Sequence, residues 1–175
     1  MSIVKHIQEH AKLGIRHNLI AEVGCFITAP GRTLAASVTE MLPFTNELYD
    51  TANVHSNVTN TTRFYLPPEA RWARMFISTD TNKIAAGTSH IVGTYTNVSI
   101  PVTVYLRGMA LWEDTTSAGN ITTAFSLMSP LFAVGVNAAG GAGDYMEIEA
   151  ANLTGAGNLI VGASSQSLFG FEFYD

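Results

Sequence analysis

The sequence predicts an all-β protein built as a sandwich or barrel, and three observations support this prediction. From about residue 20 onward, apolar residues alternate with polar ones at a period of two, which is the spacing of a β-strand. The alternating stretches are short, and clusters that contain glycine or proline separate them at close intervals. The 175 residues suffice for one domain with a full hydrophobic core. We therefore expect a β domain over residues 21–175, preceded by an N-terminal segment over residues 1–20.

The N-terminal segment is the one part of the chain with helical spacing. Ser2 can cap the first turn. The residues that gather on one face at a 3.6-residue period are Ile3, Val4, Ile7, Ala11 and Ile15. A helix this short is marginal alone in water. We therefore expect residues 1–20 to form a docking helix or arm that is ordered where it packs on something.

The β domain contains several strand candidates and turn clusters. The clearest strands are SIPVTVYLRGMALW, DYMEIEA and LFGFEFYD, and in the last Phe169, Phe171 and Phe173 share one face. Further candidates are GCFIT, TTRFYL, WARMFIST, SHIVGTYTNV, LFAVGV and NLIVGAS. The turn clusters between them are APGR, LPPEA, STDTNK, EDTTSAGN, NAAGGAGD and LTGAGN. The chain shows no second domain and no internal repeat.

Composition limits the classes of function. Charged residues make up 13% of the chain, whereas a typical soluble domain has roughly 25%. This low value indicates that much of the surface is covered in an oligomer or a larger assembly. The net charge is −5 and the nine basic residues are scattered, which argues against nucleic-acid binding, because phosphate contacts need clustered Lys and Arg.

The sequence shows no sign of export or membrane insertion. The start of the chain lacks the apolar centre of a signal peptide, and no stretch approaches the roughly 18 apolar residues of a membrane span. We therefore expect a protein made in a cytoplasm. A single cysteine, Cys25, excludes an intrachain disulfide. In an apolar strand with no evident basic partner, it is interpreted as an inert buried thiol.

The stretch HIQEH, which begins at His6, matches the H-x-x-E-H pattern of inverted zinc peptidases. A zinc site needs a third protein ligand, and His17 is too close along the chain to close a tetrahedron easily. His55 and His90 fall in predicted strands or loops. The pattern also lies ahead of the core, where a catalytic centre would be poorly held. We therefore interpret His6 and His10 as residues that flank the apolar stripe of a docking helix, without zinc.

Two further sets of acidic residues were considered as sites. Glu147 and Glu149 share one face of a strand, as a glycosidase pair could, but alternating outward acids on a half-exposed strand are the ordinary explanation. Asp114 and Asp144 lie in predicted turns and have the oxygen ligands that calcium prefers, but no D-x-D-x-D-G pattern accompanies them. Trp72, Trp112 and the tyrosines could stack on sugar rings, although their place in alternating strands favours packing in the core or at a trimer interface. We expect no catalytic residue, metal ion or cofactor.

Two stretches resemble a known family. The first, RFYLPPEARWARMFIST, begins at Arg63 and joins an aromatic strand to an alternating strand through a proline turn. The second is the final third of the chain, with a Gly143-Asp144 turn and a Phe169-Gly170-Phe171 ending. Together they resemble the jelly-roll β-sandwich of the complement globular-head and tumour-necrosis-factor superfamily, in its bacteriophage virion form. Pro68-Glu69-Ala70-Arg71 stands where that family usually has a glycine after the first proline turn.

The resemblance implies a fold, an assembly and a function. The fold is a tumour-necrosis-factor-like jelly roll, and the assembly is a tight homotrimer in which one sheet of each subunit faces a threefold axis. The candidates for core or trimer packing are Phe64, Trp72, Tyr105, Tyr145, Phe169, Phe171 and Phe173. The function expected from the resemblance is that of a bacteriophage virion structural protein, a trimeric capsid decoration (cement) protein whose arm docks on the head.

Two other classes of function were weighed against this one. The alternative is a head-fibre or tail-fibre module that binds a receptor or a glycan, although the chain has no heptad or collagen-like shaft. The third class, an enzyme, finds no support among the candidate sites. The expected partners are other copies of the chain and the major capsid protein or another virion protein, without nucleic acid or membrane. The expected localisation is the virion, after synthesis in the host cytoplasm.

Overall fold

A computed structural model of the chain describes residues 17–28, 30–97, 102–114, 121–134, 143–162 and 167–175. These residues form thirteen β-strands and no helix. The strands are β1 (Leu19–Ile27), β2 (Arg32–Leu34), β3 (Val38–Met41), β4 (Glu47–Asp50), β5 (Phe64–Tyr65), β6 (Trp72–Lys83), β7 (Ser89–Asn97), β8 (Val102–Asp114), β9 (Ile121–Met128), β10 (Phe132–Ala133), β11 (Tyr145–Asn152), β12 (Leu159–Val161) and β13 (Ser167–Tyr174). The all-β prediction is confirmed. Within the described part, no helix is long and apolar enough to cross a bilayer.

The strands form two antiparallel sheets. Sheet A has eight strands, with β2-β12-β6-β13-β1-β4 as its main path. Strands β9 and β10 pair with the opposite edge of β6, since residues 76–78 of β6 pair with both β13 and β9. Sheet B has five strands, in the order β3-β11-β7-β8, with β5 also paired to β11. Strand β13, although late in the sequence, therefore lies inside sheet A between β1 and β6.

An aromatic core fills the space between the two sheets. Phe44, Phe64, Phe169, Phe171 and Phe173 are all fully buried. Ring centroids of Phe44 and Phe169 lie 5.3 Å apart, and those of Phe64 and Phe171 lie 4.9 Å apart. The alternation in β13 turns its three phenylalanines inward and Leu168 and Glu172 outward, as the sequence predicts. Such aromatic pairs add about 0.5–1.5 kcal/mol each beyond their buried area.

The prediction of a turn at STDTNK is wrong. Strand β6 runs without interruption from Trp72 to Lys83. Strand β12 pairs with residues 81–83 on one edge, and β9 pairs with residues 76–83 on the other. Because both edges of this stretch are paired, its backbone donors and acceptors are satisfied within the sheet. This pairing outweighs the weak strand preference of Asp80 and Asn82.

Alternation in the sequence does not predict strands β2, β3, β4 or β9. The first three are only three or four residues long, and β9 (ITTAFSLM) has no strict alternation. The predicted arm residues Ile3, Val4, Ile7, Ala11 and Ile15, together with HIQEH, lie outside the described residues. The predicted boundary at residue 20 falls within β1, which begins at Leu19.

Candidate functional site: an apolar groove on sheet A

A row of residues crosses the outer face of sheet A, the face turned away from the core. Tyr49, Gly24, Gly170 and Phe76 are cross-strand neighbours on β4, β1, β13 and β6. Met128 of β9 continues the row beside Phe76. Three members of this row, the two glycines and Phe76, occupy outward positions of their strands, since the residues next to them, such as Val23 and Phe171, are buried in the core.

The two glycines are covered by aromatic rings that lie across them and that also line a groove on this face. A Cβ atom placed on Gly24 would stand 2.7 Å from the ring of Tyr49. On Gly170 it would stand 2.3 Å from the ring of Phe76 and 2.1 Å from the carbonyl oxygen of Val23. Only glycine lets the rings and the neighbouring backbone approach this closely. The arrangement matches the covering of strand glycines by aromatic neighbours.

The groove has a volume of about 370 Å³ and mainly apolar walls. The residues that line it include Tyr49, Phe76, Leu127, Met128 and Leu168. Leu127 is 42% exposed and Met128 is 56% exposed. Serine and glutamate side chains, among them Ser78 and Ser126, border these apolar residues, and exposed apolar groups with a polar rim are found at protein–protein contacts. The groove is therefore suited to take up apolar side chains of another surface.

Charged and phenolic groups form one border of the groove. Glu22 and Glu172 are cross-strand neighbours, and both line the groove. Arg74 Nε donates to Glu172 Oε2 at 2.6 Å, and Arg74 Nη2 donates to the Tyr174 hydroxyl at 2.8 Å. That hydroxyl in turn donates to Glu172 Oε2 at 2.7 Å. The three side chains thus form a closed network that fixes their positions at the border.

The surroundings of the two tyrosines at this border, Tyr49 and Tyr174, raise the pKa of their hydroxyls. Burial raises the pKa of Tyr49 to about 12, and the hydrogen bond to Glu22 adds to this effect. Burial likewise raises the pKa of Tyr174 to about 12, with a further contribution from its bond to Glu172. Both hydroxyls therefore remain donors over the whole physiological range.

A second feature is the loop between β4 and β5, which a carboxylate holds in shape. Asp50 Oδ1 accepts the backbone N–H groups of Ala52 and Val54, both at 3.1 Å. Asp50 Oδ2 accepts the N–H of His55 at 2.9 Å. Val58, near the middle of the loop, is 81% exposed. The loop thus presents an apolar side chain to solvent from an ordered base.

The buried ring of His55 fixes the base of this loop to the core. Its Nδ1 lies 2.9 Å from Glu47 Oε1, and its Nε2 lies 3.1 Å from the carbonyl oxygen of Thr61. The ring stacks on Phe64, with centroids 4.8 Å apart. Cys25 Sγ lies 3.6 Å from His55 Nδ1. No signal in the sequence links Cys25 to His55, because the two are brought together only by the folding of β1 against the loop.

This histidine does not activate Cys25. The thiol is fully buried. Burial raises its pKa to about 12, and the carboxylates of Glu47 and Asp50 raise it further. A thiol with such a pKa stays protonated near neutral pH, and the thiolate is the nucleophilic form. The arrangement therefore has no nucleophile in a reactive state.

The carboxylates considered as catalytic or calcium sites have other partners. Glu147 Oε1 accepts the Thr62 hydroxyl at 2.5 Å, and Glu149 lies 3.4 Å from His90 Nε2. Asp144 is buried and accepts the hydroxyl of Tyr95 at 2.8 Å, so it is not an open oxygen ligand. The side chain of Asp114 lies outside the described part. Among the described residues, no three His, Cys, Asp or Glu side chains are grouped to hold a metal ion.

The predicted packing residues occupy three different places. Phe64, Phe169, Phe171 and Phe173 lie in the core between the sheets. Trp72 is half-buried at one end of sheet A, where its ring centroid lies 4.9 Å from that of His17. Tyr145 is half-buried on sheet B, with the Arg63 guanidinium 4.2 Å above its ring. Tyr105 belongs to β8, and its side chain is not among those described.

Sequence reasoning missed the groove because its residues come from five separate strands. A glycine at an outward position within an alternating strand, such as Gly170 in FGF, is the one local signal of it. Tyr49 lies on a strand that the alternation did not predict. Its position above Gly24 follows from the pairing of β4 with β1, which no local pattern contains.

Comparisons with known proteins support the fold. No protein-family model matches the chain. No curated protein matches it either. Among solved structures, the tumour-necrosis-factor protein Eiger from S. frugiperda is similar over 89% of this chain and 93% of that chain, with a TM-score of 0.52 and 14% identity. Murine APRIL aligns over 86% of this chain and 98% of that chain, with a TM-score of 0.44 and 11% identity.

The likeness to Eiger, together with the two antiparallel sheets, confirms the predicted fold class. The chain is a jelly-roll β-sandwich of the tumour-necrosis-factor-like type. At 14% identity, the likeness concerns the fold alone.

Proposed function

We propose that the chain is a bacteriophage virion structural protein, a homotrimeric capsid decoration (cement) protein that docks on the head and stabilises it. Its partners are two further copies of itself and the major capsid protein or another virion protein. It acts by binding, without catalysis, cofactor, nucleic acid or membrane. The bacteriophage part of the proposal rests on the sequence resemblance that begins at Arg63 and extends through the final third of the chain.

The observation that carries the trimer is the apolar groove on the outer face of sheet A. A soluble protomer gains by covering such a face, at roughly 25 cal/mol for each Å² of apolar surface removed from water. The resemblance implies that one sheet of each subunit faces the threefold axis, and sheet A offers the matching surface. The low fraction of charged residues, 13%, is consistent with extensive burial in an assembly.

Met128→Asp tests the trimer without damaging the protomer. Met128 is 56% exposed in the single chain, so a charge there costs the fold little. Light scattering of the wild type should give three times the chain mass of 18.8 kDa, and the variant should give folded monomers. Val58→Asp is the matched control, because Val58 is 81% exposed on the β4–β5 loop, and it should leave the trimer intact.

Two outcomes would overturn this part of the proposal. A wild-type protein that is monomeric under native conditions would refute the trimer itself. A Met128→Asp variant that remains trimeric would place the interface elsewhere. Deletion of residues 2–15 distinguishes this trimer from a groove that is filled by the N-terminal arm of the same chain. A trimer built on sheet A should persist after the deletion. If the arm fills the groove instead, the deletion should change the oligomeric state.

Attachment to the particle is tested with the same arm deletion. The deleted protein should fold and assemble, because residues 2–15 precede β1, but it should no longer bind phage particles. Electron microscopy of particles that carry labelled protein distinguishes head positions from tail positions. Arm-deleted protein that decorates heads at wild-type occupancy would assign the docking surface to the sandwich.

A head-fibre or tail-fibre module that binds a receptor or a glycan is the second candidate, and the surface beside the β4–β5 loop favours it. Tyr65 and Tyr145 are half-exposed, with ring centroids 6.1 Å apart. Asn60 Nδ2 donates to the Tyr65 hydroxyl at 3.2 Å, which holds loop and strand together. Tyrosine, arginine and amide groups on an ordered loop are common in recognition surfaces.

The loop variant Val58→Asp distinguishes the two candidates. For a decoration protein, it should leave head attachment unchanged. For a receptor-binding module, it should reduce adsorption of phage to host cells while the protein remains folded and trimeric.

A further inference from the structure

The root of the N-terminal arm, where the described chain begins, is held by an unusual set of hydrogen bonds. The backbone N–H of Asn18 donates to Asp175 Oδ1 at 2.8 Å. The Asn18 side-chain amide donates to Asp175 Oδ2 at 3.0 Å. In return, the backbone N–H of Asp175 donates to the carbonyl oxygen of Asn18 at 3.2 Å. One carboxylate thus binds both the main chain and the side chain of the residue that precedes β1.

His17 adds two further contacts at the same point. Its Nδ1 lies 3.3 Å from the carbonyl oxygen of Asp175. Its ring packs against Trp72, the first residue of β6, with centroids 4.9 Å apart. Contacts with Asp175, which follows β13, and with Trp72 of β6 therefore hold these two consecutive residues in place.

The ladder between β1 and β13 is irregular here, so the contacts of Asp175 add to the pairing at its end. The register shifts between Leu19 and Ala21, so the pairing is irregular where β1 begins. A bulge leaves backbone groups unpaired and loosens the end of a ladder. The bonds from Asp175 lie beyond this irregularity and rejoin the two strands.

We infer that Asp175 is a clamp that fixes the root of the N-terminal arm to the sandwich, and that acid opens it. The two oxygens accept the two N–H groups most strongly while the carboxylate is ionised, because protonation removes the charge and turns one oxygen into an O–H donor. His17 and Asn18 are then held against the sandwich at neutral pH and released from it in acid. The attachment role of the arm rests on the proposed function, whereas the clamp is a property of the isolated protein.

The groups around Asp175 lower its pKa, which is the direction expected for a carboxylate that accepts hydrogen bonds. The side-chain bond from Asn18, then its backbone bond, lower the pKa of Asp175 from the ordinary 3.8, and His17 adds an attraction. Because the folded pKa is lowered, the contribution of the clamp is complete above pH 3.8 and is lost as the pH falls through the folded value. The other charged groups at this end, Arg71 and the Arg74–Glu172 pair, have bonds of their own.

Limited trypsin digestion of the full-length protein at pH 7.5 tests the clamp. Trypsin cuts after Arg16, immediately before the clamped residues, and mass spectrometry follows the fragment that begins at His17. Asp175→Ala should accelerate this cut about fivefold, since cleavage follows the population of the opened form. Asp175→Asn keeps one acceptor oxygen, and its rate of cleavage should lie between the rates of the wild type and Asp175→Ala. Glu69→Gln removes an exposed charge from the turn before β6 and should leave the rate unchanged.

Two further measurements separate the clamp from general damage and from the function of the arm. The melting temperature of each variant should stay within about 2 °C of the wild type, because the substitutions are on the surface. In the wild type, the NMR signal of the Asn18 amide should move with a midpoint below pH 3.8. Equal trypsin rates for wild type and Asp175→Ala would overturn the clamp, whether or not the protein attaches to phage heads.

Discussion

Truncation of one core phenylalanine, Phe171→Ala, is the most direct test of the sandwich. The side chain is 0% exposed, and its ring centroid lies 4.9 Å from that of Phe64 and 6.2 Å from that of Phe173. A buried Phe→Ala change costs about 3–5 kcal/mol. The two lost ring contacts are worth roughly 0.5–1.5 kcal/mol each beyond area, which favours the upper part of that range. The expected loss of about 4–5 kcal/mol compares with a typical total of roughly 5–15 kcal/mol.

Thermal unfolding at one fixed protein concentration measures this loss. For a chain of this length, each kcal/mol shifts the melting temperature by about 2–4 °C, so we expect a fall of about 8–20 °C. Phe171→Leu keeps an apolar side chain in the site, and its melting temperature should lie between those of the wild type and Phe171→Ala. Val58→Ala, at an 81% exposed position, should change the free energy of unfolding by less than about 0.5 kcal/mol. A fall of less than about 3 °C for Phe171→Ala would refute the view that this ring is central to the core.

Three further predictions concern groups of the described sandwich. Gly170→Ala should destabilise the protein even in the background of Phe76→Ala, because the added Cβ would stand 2.1 Å from the carbonyl oxygen of Val23. A double variant that melts at the same temperature as Phe76→Ala alone would contradict this. Cys25, with a pKa raised to about 12, should not react with a maleimide at pH 7.5 in the native protein but should react fully in guanidinium, so native labelling would be the contrary result. Because burial raises the pKa of Tyr49 and Tyr174 from 10.0 to about 12, their contribution is complete below pH 10 and is lost as the pH rises towards 12. Replacing both with Phe should flatten the alkaline part of the curve of melting temperature against pH.

The sequence predicts the part of the fold that depends on local alternation. In β13, every second residue is a large aromatic, so the inward face is evident before any neighbouring strand is known. The turn predicted at STDTNK fails for the opposite reason, since polar residues of β6 are held in a strand by partners on both edges. Long-range pairing decides such segments, and a single sequence does not contain that information.

The candidate site is less predictable than the fold. Tyr49 lies on β4, a strand of only four residues, and it meets Gly24 through a register that shifts between Gly24 and Cys25. The partners of Asp175 are also invisible in the sequence, because Asn18 is 157 positions away. By contrast, the resemblance carried by the stretch from Arg63 and by the final third implies the fold type that the structure has.

The position of β13 within sheet A has a consequence for biosynthesis. The strand lies between β1 and β6, so neither of these can complete its pairing until the residues up to Tyr174 have left the ribosome. At about 5–20 residues per second, synthesis takes roughly 10–35 s. Folding of β-sandwiches with distant pairings takes only milliseconds to seconds once the chain is complete. During most of translation, the apolar positions of β1 and β6 therefore lack their partner strand.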